Sequence, residues 1–361
     1  MAFTNSGTSY IDVITNIDGS PCVAYTDASI GEKPSVKRYN GNEWEYVGSS
    51  NFAPGSGCYY NSIDHDSNGN LYLSFQDGAY SNKLSVMWYQ GTDWINLGSY
   101  GFTAGSSPYG KIKIAPDNTP YVAYQDNGNG GKVSVMYFDG LVWNYLGTPG
   151  FSSGQASSIS LAINSTGEIY VAFVDHASSF NITVMKFDGT SWINVGAPGF
   201  TILGAGMPTI AFNSNDDLFV CYADGADSYK ASVRVFDGTD WNYLGGTFCF
   251  SSEWIGNLKM EISNDDKIFV SYSEDNYGGK GTVKNFDGAN WVTIDQELFT
   301  AANANYMDLT IDTLGNPVVV LENGGIYSYK LGMNAQLVIS EDSICFGDDV
   351  SLTAINGNTF N

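Results

Sequence analysis

FDGLVWNYLG, residues 138–147, returns in close copies along most of the chain. The other five copies read YNGNEWEYVG, YQGTDWINLG, FDGTSWINVG, FDGTDWNYLG and FDGANWVTID. Their tryptophans are 49 or 50 residues apart and lie at Trp44, Trp94, Trp143, Trp192, Trp241 and Trp291. A period of this length indicates stacked or radial repeats. Because the residue is fixed in six copies, we expect these tryptophans to pack within the scaffold.

Each unit contains four short apolar runs separated by turn residues. In the third unit the runs are KIKIA, PYVAY, KVSVMYF and a fourth that starts at Trp143. The turns between them contain PDN, a glycine-rich loop and Asp139-Gly140, which are typical of hairpins. Charged residues make up only 15% of the chain, while glycine and aromatic residues are abundant. The sequence therefore predicts an all-β protein with four strands per unit.

The first two strands of the unit occur in seven copies, and six copies continue into a full third and fourth strand. The seventh has Ala335 where the tryptophan is expected. Apolar residues on both sides of each strand fit sheets that lie between neighbouring sheets, as in β-propeller blades. We predict a seven-bladed β-propeller, with a last blade of three strands or one that borrows AQLVIS. A six-bladed ring stays open, whereas a linear solenoid is disfavoured because no polar capping repeat is visible.

The predicted blades are built from consecutive strands. Phe3 aligns with the phenylalanine that follows each fourth strand, so the chain enters at a unit boundary. The propeller spans residues 1–332, with blades at about 3–51, 52–101, 102–150, 151–199, 200–249, 250–298 and 299–332.

The repeat stops after Gly332. The segment ISEDSICFGDDVSLTA that follows resembles the opening strands of the PKD-like, immunoglobulin-like modules of secreted Bacteroidota proteins, where I-C-x-G-x-x-V-x-L-T-A precedes a sandwich. The resemblance implies that residues 333–361 begin a β-sandwich module and that further domains follow Asn361. It also implies that Cys345 pairs with a cysteine near the end of that module.

The propeller repeats are similar to repeats with a G-x-x-W-x-x-L-G signature in extracellular proteins of the same bacteria. This resemblance implies a secreted or cell-surface protein with an adhesive or recognition role. The N-terminus MAFTNSGTSY has neither a basic segment nor an apolar core, so either the protein is cytosolic or, as the resemblance implies, its signal peptide has been removed. Since a fold does not fix a function, the site must be sought in residues that break the repeat.

The charge balance excludes several partners. With 15 basic against 38 acidic residues the formal net charge is -23, which repels phosphate backbones and anionic lipid. We therefore expect no nucleic acid partner. No apolar run approaches the roughly 18 residues of a membrane span, so no membrane insertion is expected. The five cysteines show no CxxC pair and no metal-ligand spacing, which disfavours zinc and redox chemistry.

An acid ends the second strand of nearly every unit, and a lysine follows six positions later. The pairs are Asp27 and Lys33, Asp77 and Lys83, Asp126 and Lys132, Asp224 and Lys230, and Glu274 and Lys280. We expect each pair to close the loop between strands two and three as an exposed pair worth about 0–1 kcal/mol. The alternative is a ring of equivalent ligand sites, as in multivalent propeller lectins.

The loops between acid and lysine vary most, and the connections between blades emerge on the same face. Variable loops on a rigid scaffold commonly bind ligands, and aromatic rings contact sugar C–H groups or protein partners. The alternative is that half of the rings on this face pack between blades. We predict that a glycan or a surface protein binds through Tyr59, Tyr60, Tyr80, Tyr109, Phe180, Tyr229, Trp254 and Tyr277.

DHDSNGN, residues 64–70, imitates part of a calcium loop, with Asp64, Asp66 and Asn68 alternating before a glycine. Phe75 stands where an EF-hand has its glutamate, and other units have ordinary turns here. We predict a tight turn and no cofactor, with calcium left open. The two histidines, His65 and His176, have no serine or cysteine near them in a nucleophile context and are expected at the surface.

For an enzyme, the expected propeller site is the central channel. Two carboxylates about 5–10 Å apart there would suit glycoside chemistry. The first-strand candidates are Asp12, Lys111, Lys113, Lys259, Glu261 and Asp308. A sialidase is disfavoured, because arginine is nearly absent and no copy has the S-x-D-x-G-x-T-W box. The leading hypothesis is a non-enzymatic recognition or adhesion module. A carbohydrate-active enzyme, either a glycosidase or a lyase, and a rigid spacer in a large adhesin are the alternatives.

Overall fold

The computed structural model describes residues 3–4, 7–301 and 303–332, together with the backbone of residues 336–339 and 352–355. Within these residues the fold is all-β, with six sheets of four antiparallel strands and one of three. The first strands of the seven sheets contact one another in a closed ring. The predicted seven-bladed β-propeller is therefore confirmed, and a six-bladed ring is excluded. None of the helices in the described residues is long and apolar enough to cross a membrane.

Every blade is built from strands that are consecutive in the chain. Blade 1 contains β1 (Thr8–Thr15), β2 (Pro21–Asp27), β3 (Lys33–Tyr39) and β4 (Trp44–Tyr46). Blade 2 contains β5 (Tyr59–His65), β6 (Leu71–Asp77), β7 (Lys83–Tyr89) and β8 (Trp94–Asn96). Blade 3 contains β9 (Lys111–Ile114), β10 (Pro120–Asp126), β11 (Lys132–Phe138) and β12 (Trp143–Tyr145). Blade 4 contains β13 (Ala156–Ile163), β14 (Ile169–Asp175), β15 (Asn181–Phe187) and β16 (Trp192–Asn194).

The remaining blades follow the same order. Blade 5 contains β17 (Ala205–Phe212), β18 (Leu218–Asp224), β19 (Lys230–Phe236) and β20 (Trp241–Tyr243). Blade 6 contains β21 (Ile255–Ile262), β22 (Ile268–Glu274), β23 (Lys280–Phe286) and β24 (Trp291–Thr293). Blade 7 contains β25 (Asn305–Ile311), β26 (Pro317–Glu322) and β27 (Ile326–Lys330).

The two strands after blade 7 form a separate sheet. In that sheet β28 (Gln336–Ile339) pairs antiparallel with β29 (Leu352–Ile355) rather than with blade 7. The predicted start of a β-sandwich module at residues 333–361 falls largely outside the described residues, as does Cys345, and it stays a prediction.

The repeated tryptophans join neighbouring blades. Trp143 is buried, its Nε1 donates a hydrogen bond of 2.9 Å to the Leu97 carbonyl of blade 2, and its ring stacks on Phe102 with centroids 4.6 Å apart. Trp94, Trp192 and Trp241 make the same kind of hydrogen bond to the preceding blade. The predicted scaffold role of these residues is therefore confirmed.

Phe3 closes the ring. In blades 2 to 6 the phenylalanine after the fourth strand donates its N–H to the third strand of the same blade, as Phe102 does to Leu84. Phe3 donates in the same way to the Ile326 carbonyl of blade 7, at 2.9 Å. Its ring stacks on Trp44 of blade 1 at a centroid distance of 4.3 Å. The beginning of the described chain thus supplies to the three-stranded blade 7 a contact that blades 2 to 6 make with their own phenylalanine.

In blades 1 to 5 the aspartate at the end of the second strand caps a 3₁₀ turn with its side chain. Asp126 is fully buried; its Oδ1 accepts from the Gly128 N–H at 3.0 Å and its Oδ2 accepts from the Ser134 hydroxyl at 2.8 Å. Lys132 lies opposite Asp126 across the hairpin, but it does not form the ion pair predicted for it. The acids do close the loops, but the prediction of exposed acid–lysine pairs is wrong. The six turns after second strands are Ala28–Ile30, Gly78–Tyr80, Asn127–Asn129, His176–Ser178, Gly225–Asp227 and Asp275–Tyr277, and a further one is Leu244–Gly246.

Candidate binding site at the channel mouth

A cavity of about 530 Å³ lies on the axis of the propeller and is lined by the first strands of all seven blades. These strands begin on the face that carries the 3₁₀ turns, because each pairs its start with the end of its second strand, as Thr8 does with Asp27. Residues at the beginning of the first strands therefore surround the opening of the cavity on the loop-rich face.

Each blade has a left-handed residue at this opening. The pairing of the first strand shifts here in six blades, for example between Ser157 and Ser160, which identifies a β-bulge. A positive φ is uncommon for residues other than glycine, and a bulge redirects the side chain. The seven residues, with φ between 45° and 56°, are Tyr10, Tyr60, Tyr109, Ser158, Met207, Asn257 and Tyr306. Because serine and methionine also occupy the position, the bulge is a feature of the scaffold and does not require a particular side chain.

Four of these seven residues are tyrosines from consecutive blades, 7, 1, 2 and 3. The ring centroids of Tyr306 and Tyr10 are 5.5 Å apart, those of Tyr10 and Tyr60 are 4.9 Å apart, and those of Tyr60 and Tyr109 are 5.1 Å apart. Tyr306 is 41% exposed and the other three are half-buried. We call Tyr306, Tyr10, Tyr60 and Tyr109 the tyrosine crescent. It covers one side of the opening, and the smaller residues of blades 4 to 6 leave the other side less aromatic.

The hydroxyl groups of the tyrosine crescent are free. None of them forms a hydrogen bond with another described residue, whereas the neighbouring Tyr59 hydroxyl donates to Glu32 at 2.8 Å. Burial, together with the neighbouring phenols, raises the pKa of Tyr60 to about 12. The pKa of Tyr10 is also raised, mainly by burial. The Tyr10 and Tyr60 hydroxyls therefore stay protonated at neutral pH and can donate to a ligand, while the rings offer apolar contact.

Below the crescent, the structure brings together charges that are far apart in the sequence. Lys259 Nζ lies 3.3 Å from Asp308 Oδ1, 3.7 Å from Asp12 Oδ1 and 3.6 Å from Glu261 Oε1. Asp12 and Asp308 are each only 5% exposed. The second oxygen of each is bound by the next blade, because Asp12 Oδ2 accepts from the Ile63 N–H at 2.7 Å and Asp308 Oδ2 from the Val13 N–H at 2.9 Å.

Asp12 and Asp308 share one negative charge. Burial raises the pKa of Asp308 to about 7, against the attraction of Lys259, and the hydrogen bond with Asp12 adds to the rise. Burial also acts on Asp12, but Lys111, Lys259 and the hydrogen bond from Asp308 outweigh it and lower its pKa to about 2. The negative charge therefore favours Asp12, and the proton of the pair favours Asp308.

The other wall of the channel carries the two lysines of blade 3. The charge of Asp64 raises the pKa of Lys113, and Asp64 Oδ2 accepts from the Ile114 N–H at 2.8 Å. Lys111, beside Tyr109, lines the cavity and has neither a hydrogen bond nor an ion pair to another described residue. The ammonium group of Lys113 likewise forms no ion pair among the described residues, but Lys111 begins β9 and therefore lies nearer the opening.

The predicted aromatic residues fall into two groups. Tyr60 and Tyr109 lie in the tyrosine crescent, and Tyr59 lies beside it, with its centroid 5.3 Å from that of Tyr10. The other five do not line the cavity and are 39–56% exposed; they are Tyr80, Phe180, Tyr229, Trp254 and Tyr277. Tyr80 stacks on Tyr100 with centroids 5.3 Å apart. This second group lies on the outer turns and connections.

Tyr10 and Tyr306 were not among the residues predicted for the site. A signal for them exists in the repeat, because residues 10, 60, 109, 158, 207, 257 and 306 occupy the same place in successive units. Comparing residues at that one position would have selected the four tyrosines. The sequence favoured the loops instead because they differ most in composition from unit to unit.

The two acids predicted for calcium have different partners. Asp64 faces Lys113, whereas Asp66 closes its turn by accepting from the N–H groups of Asn68 at 2.9 Å and Asn70 at 3.0 Å. Asn68 takes part in this turn through its backbone N–H. The described part of the chain has no group of three or more histidine, cysteine, aspartate or glutamate residues suited to a metal. Calcium remains an untested prediction.

The histidines lie on loops or strand ends. His65 Nδ1 is 2.9 Å from the Asp66 carbonyl. His176 Nε2 is 3.1 Å from the Ser157 hydroxyl, so it does have a serine neighbour that the sequence did not suggest. No described acid contacts the ring of His176, and the pair therefore lacks the third group of a catalytic triad.

Comparison with known proteins supports the fold. No family model and no curated protein matches the chain significantly. Among solved structures, an ulvan lyase described as a new family of polysaccharide lyase, bound to -[GlcA(1-4)Rha3S]-, is similar with a TM-score of 0.60 and 11% identity over 92% of this chain and 95% of that chain. The SapL1 lectin, in complex with alpha methyl fucoside, is similar with a TM-score of 0.51 and 17% identity over 81% of this chain and 96% of that chain. A protein of unknown function from Dyadobacter fermentans has a TM-score of 0.52 and 12% identity over 76% of this chain and 92% of that chain. At these identities the likeness concerns the propeller fold alone.

Proposed function

We propose that this chain is a non-enzymatic recognition module that binds a glycan at the channel mouth. The observation that carries the proposal is the tyrosine crescent, in which four rings with free hydroxyls line one side of one cavity. Sugars present C–H groups to aromatic faces and hydroxyls to polar groups, so this combination suits them. The crescent rests on the backbone of rigid first strands, which orders it before a ligand arrives.

The similar solved propellers support a glycan as the ligand class. The lectin and the lyase are both described as bound to saccharides, and both share this overall fold. Their sequences are too different to transfer any residue, so the site in this chain rests on its own geometry.

The cellular setting is part of the same proposal. The resemblance of the repeats and of residues 333–361 to secreted modular proteins favours a secreted or cell-surface adhesin with further domains after Asn361. In that setting the five outer aromatic residues provide a separate contact area for a surface protein. They are exposed and lie on the same face as the tyrosine crescent.

A carbohydrate-active enzyme is the second candidate. Asp12 and Asp308 favour it, since one carboxylate is ionised and the other protonated near neutral pH, as an acid and base pair requires. Against it, each carboxyl group is 5% exposed and bound to a neighbouring blade and to Lys259. That arrangement is better suited to holding the blades together. The third candidate, a rigid spacer, leaves the free hydroxyls of the crescent without a role.

The test replaces one tyrosine of the crescent with the residue that another blade already has. Tyr60→Ser reproduces at blade 2 the side chain of blade 4, so the bulge is expected to be retained. We expect glycans selected on a broad array to bind this variant about tenfold or more weakly than the wild type, because a central aromatic contact is lost. Calorimetry with one selected saccharide measures the change.

Tyr80→Ser is the matched control, since Tyr80 lies on the outer turn of the same blade. We expect it to retain binding, and both variants to keep the wild-type melting temperature. Loss of binding in Tyr80→Ser but not in Tyr60→Ser would move the site to the outer loops. Turnover of a bound polysaccharide that ceases in Asp308→Asn would favour the enzyme, and an array without any ligand would favour the spacer.

A further inference from the structure

We propose that the glycan is anionic and that its carboxylate or sulfate group binds Lys111 at the side of the channel mouth formed by blades 2 and 3. This inference rests on the proposed function and specifies the class of saccharide. It depends on which charges in the channel are already neutralised and which polar groups are left without partners.

Lys111 is the lysine that an anion can reach. Its Cα pairs with Ala123 at the start of β9, two residues after Tyr109, and it lines the cavity. Lys259 is held by three carboxylates within 3.7 Å, whereas Lys113 lies two residues farther from the opening, where the charge of Asp64 raises its pKa. Asp12 is the acid that faces Lys111, but the two groups do not form an ion pair. The Lys111 ammonium therefore keeps its hydrogen-bonding directions for a ligand.

Asn61 of blade 2 supplies a second, independent indication in the same cavity. It is 3% exposed and lines the same cavity. Its Nδ2 donates to the Tyr10 carbonyl at 3.1 Å and to Thr26 Oγ1 at 2.9 Å, which fixes the orientation of the amide. Its Oδ1 is buried and accepts no hydrogen bond from any described residue. A buried acceptor without a donor is unfavourable, so a hydroxyl group entering the cavity would relieve that cost.

Together these groups define the ligand by its chemistry. The rings of Tyr60 and Tyr109 suit the apolar face of a sugar, Asn61 Oδ1 suits a hydroxyl donor, and Lys111 suits a negative charge. A neutral saccharide would leave the ammonium unpaired, and a simple anion would leave the rings and the amide unused. A uronate or a sulfated sugar satisfies all three.

The experiment uses the whole 361-residue chain and two matched pairs of probes. One pair is a glucuronate oligosaccharide and its carboxyl-reduced neutral form, and the other is a sulfated galactan oligosaccharide and its desulfated form. We expect the wild type to bind the charged member of one pair about tenfold or more tightly than its neutral counterpart. The pair that shows the difference identifies carboxylate or sulfate as the group recognised.

Three variants assign that difference to a residue. Lys111→Met is expected to abolish the preference for the charged probe, and Lys111→Arg to restore it. Lys113→Met, the matched control, is expected to keep the preference, because Lys113 lies two residues farther from the opening. Thermal melting of each variant shows that the fold is retained.

Each outcome has a distinct meaning. If charged and neutral probes bind equally well and Tyr60→Ser weakens both, the anionic ligand is excluded while the glycan site at the crescent stands. A preference that survives in Lys111→Met, or that is lost only in Lys113→Met, overturns the role of Lys111. Binding of none of the four probes overturns both this inference and the proposed function.

Discussion

The double variant Asp12→Asn, Asp308→Asn is expected to lose about 3–5 kcal/mol of unfolding free energy at neutral pH. The single variant Asp308→Asn is expected to be close to neutral there. The reason is that the two buried carboxyl groups share one proton, so the folded protein needs one negative charge from the pair, not two. Removing both leaves Lys259 in the channel with Glu261 as its remaining close carboxylate.

Asp308→Asn keeps the charge on Asp12, and its amide oxygen can still accept from the Val13 N–H. In Asp12→Asn, Asp308 can release its proton and take over the charge, so we expect a smaller loss than in the double variant. Coupling of this kind makes the effects of neighbouring substitutions non-additive. Urea unfolding of the four proteins measures it, and losses in the singles that add up to that of the double would contradict a shared charge.

The two carboxyl groups are expected to change the folding stability in different pH ranges. The pKa of Asp308 is raised from 3.8 to about 7 by burial, so between about pH 4 and 7 the folded chain holds a proton that the unfolded chain has released. The wild type therefore loses stability relative to Asp308→Asn as the pH rises through this window. The pKa of Asp12 is lowered from 3.8 to about 2, so the stability that its charge provides is present above about pH 4 and is lost as the pH falls towards 2.

Melting temperatures at pH 4, 5.5, 7 and 8.5 provide the measurement. We expect Asp308→Asn to gain on the wild type from pH 4 to 7 and to gain little more above it. An advantage that stays constant with pH would contradict the raised pKa of Asp308.

Trp143→Ala is the second substitution expected to have a large effect, at about 3–5 kcal/mol. The ring is buried between blades 2 and 3, where it stacks on Phe102 and donates to Leu97. The backbone of Gly98, at φ 82°, packs against it so closely that a Cβ at residue 98 would lie 3.1 Å from the indole. Removing the ring therefore leaves a cavity at a junction that cannot collapse without moving a blade.

Trp254→Ala is the matched control for this substitution. Trp254 is 49% exposed on the loop-rich face, so its loss is expected to change stability by less than about 1 kcal/mol. Guanidinium unfolding followed by circular dichroism compares the two. Equal effects would show that the repeated tryptophans do not carry the contacts between blades.

Much of the architecture could be predicted from local patterns. The Trp143 motif and the alternating runs around it recur at a constant interval, and each run lies in one strand whose contacts repeat from blade to blade. The short last blade was also visible, since Ala335 replaces the tryptophan. These features are determined by residues close together in the sequence, and the repeat allows equivalent residues of successive units to be compared.

The candidate site could not be predicted in the same way, because it is formed by contacts between blades that are far apart in the sequence. Tyr10 and Tyr306 lie at opposite ends of the propeller sequence, and their rings meet because blade 7 contacts blade 1. Their left-handed backbone follows from a bulge in the first strand, which tyrosine gives no local reason to expect. Similarly, Lys259 meets Asp12 and Asp308 across three different blades. The candidate channel residues could be chosen from the sequence, but not their pairing.

Locating a bound saccharide tests the central claim most directly. The saccharide that binds most tightly on the array would be crystallised with the whole chain, and its position determined by X-ray diffraction. The account predicts a sugar ring packed on Tyr60 and Tyr109 within van der Waals distance, with hydroxyl or acidic groups directed towards Asn61 and Lys111. A saccharide bound on the outer turns, with the tyrosine crescent empty, would contradict it.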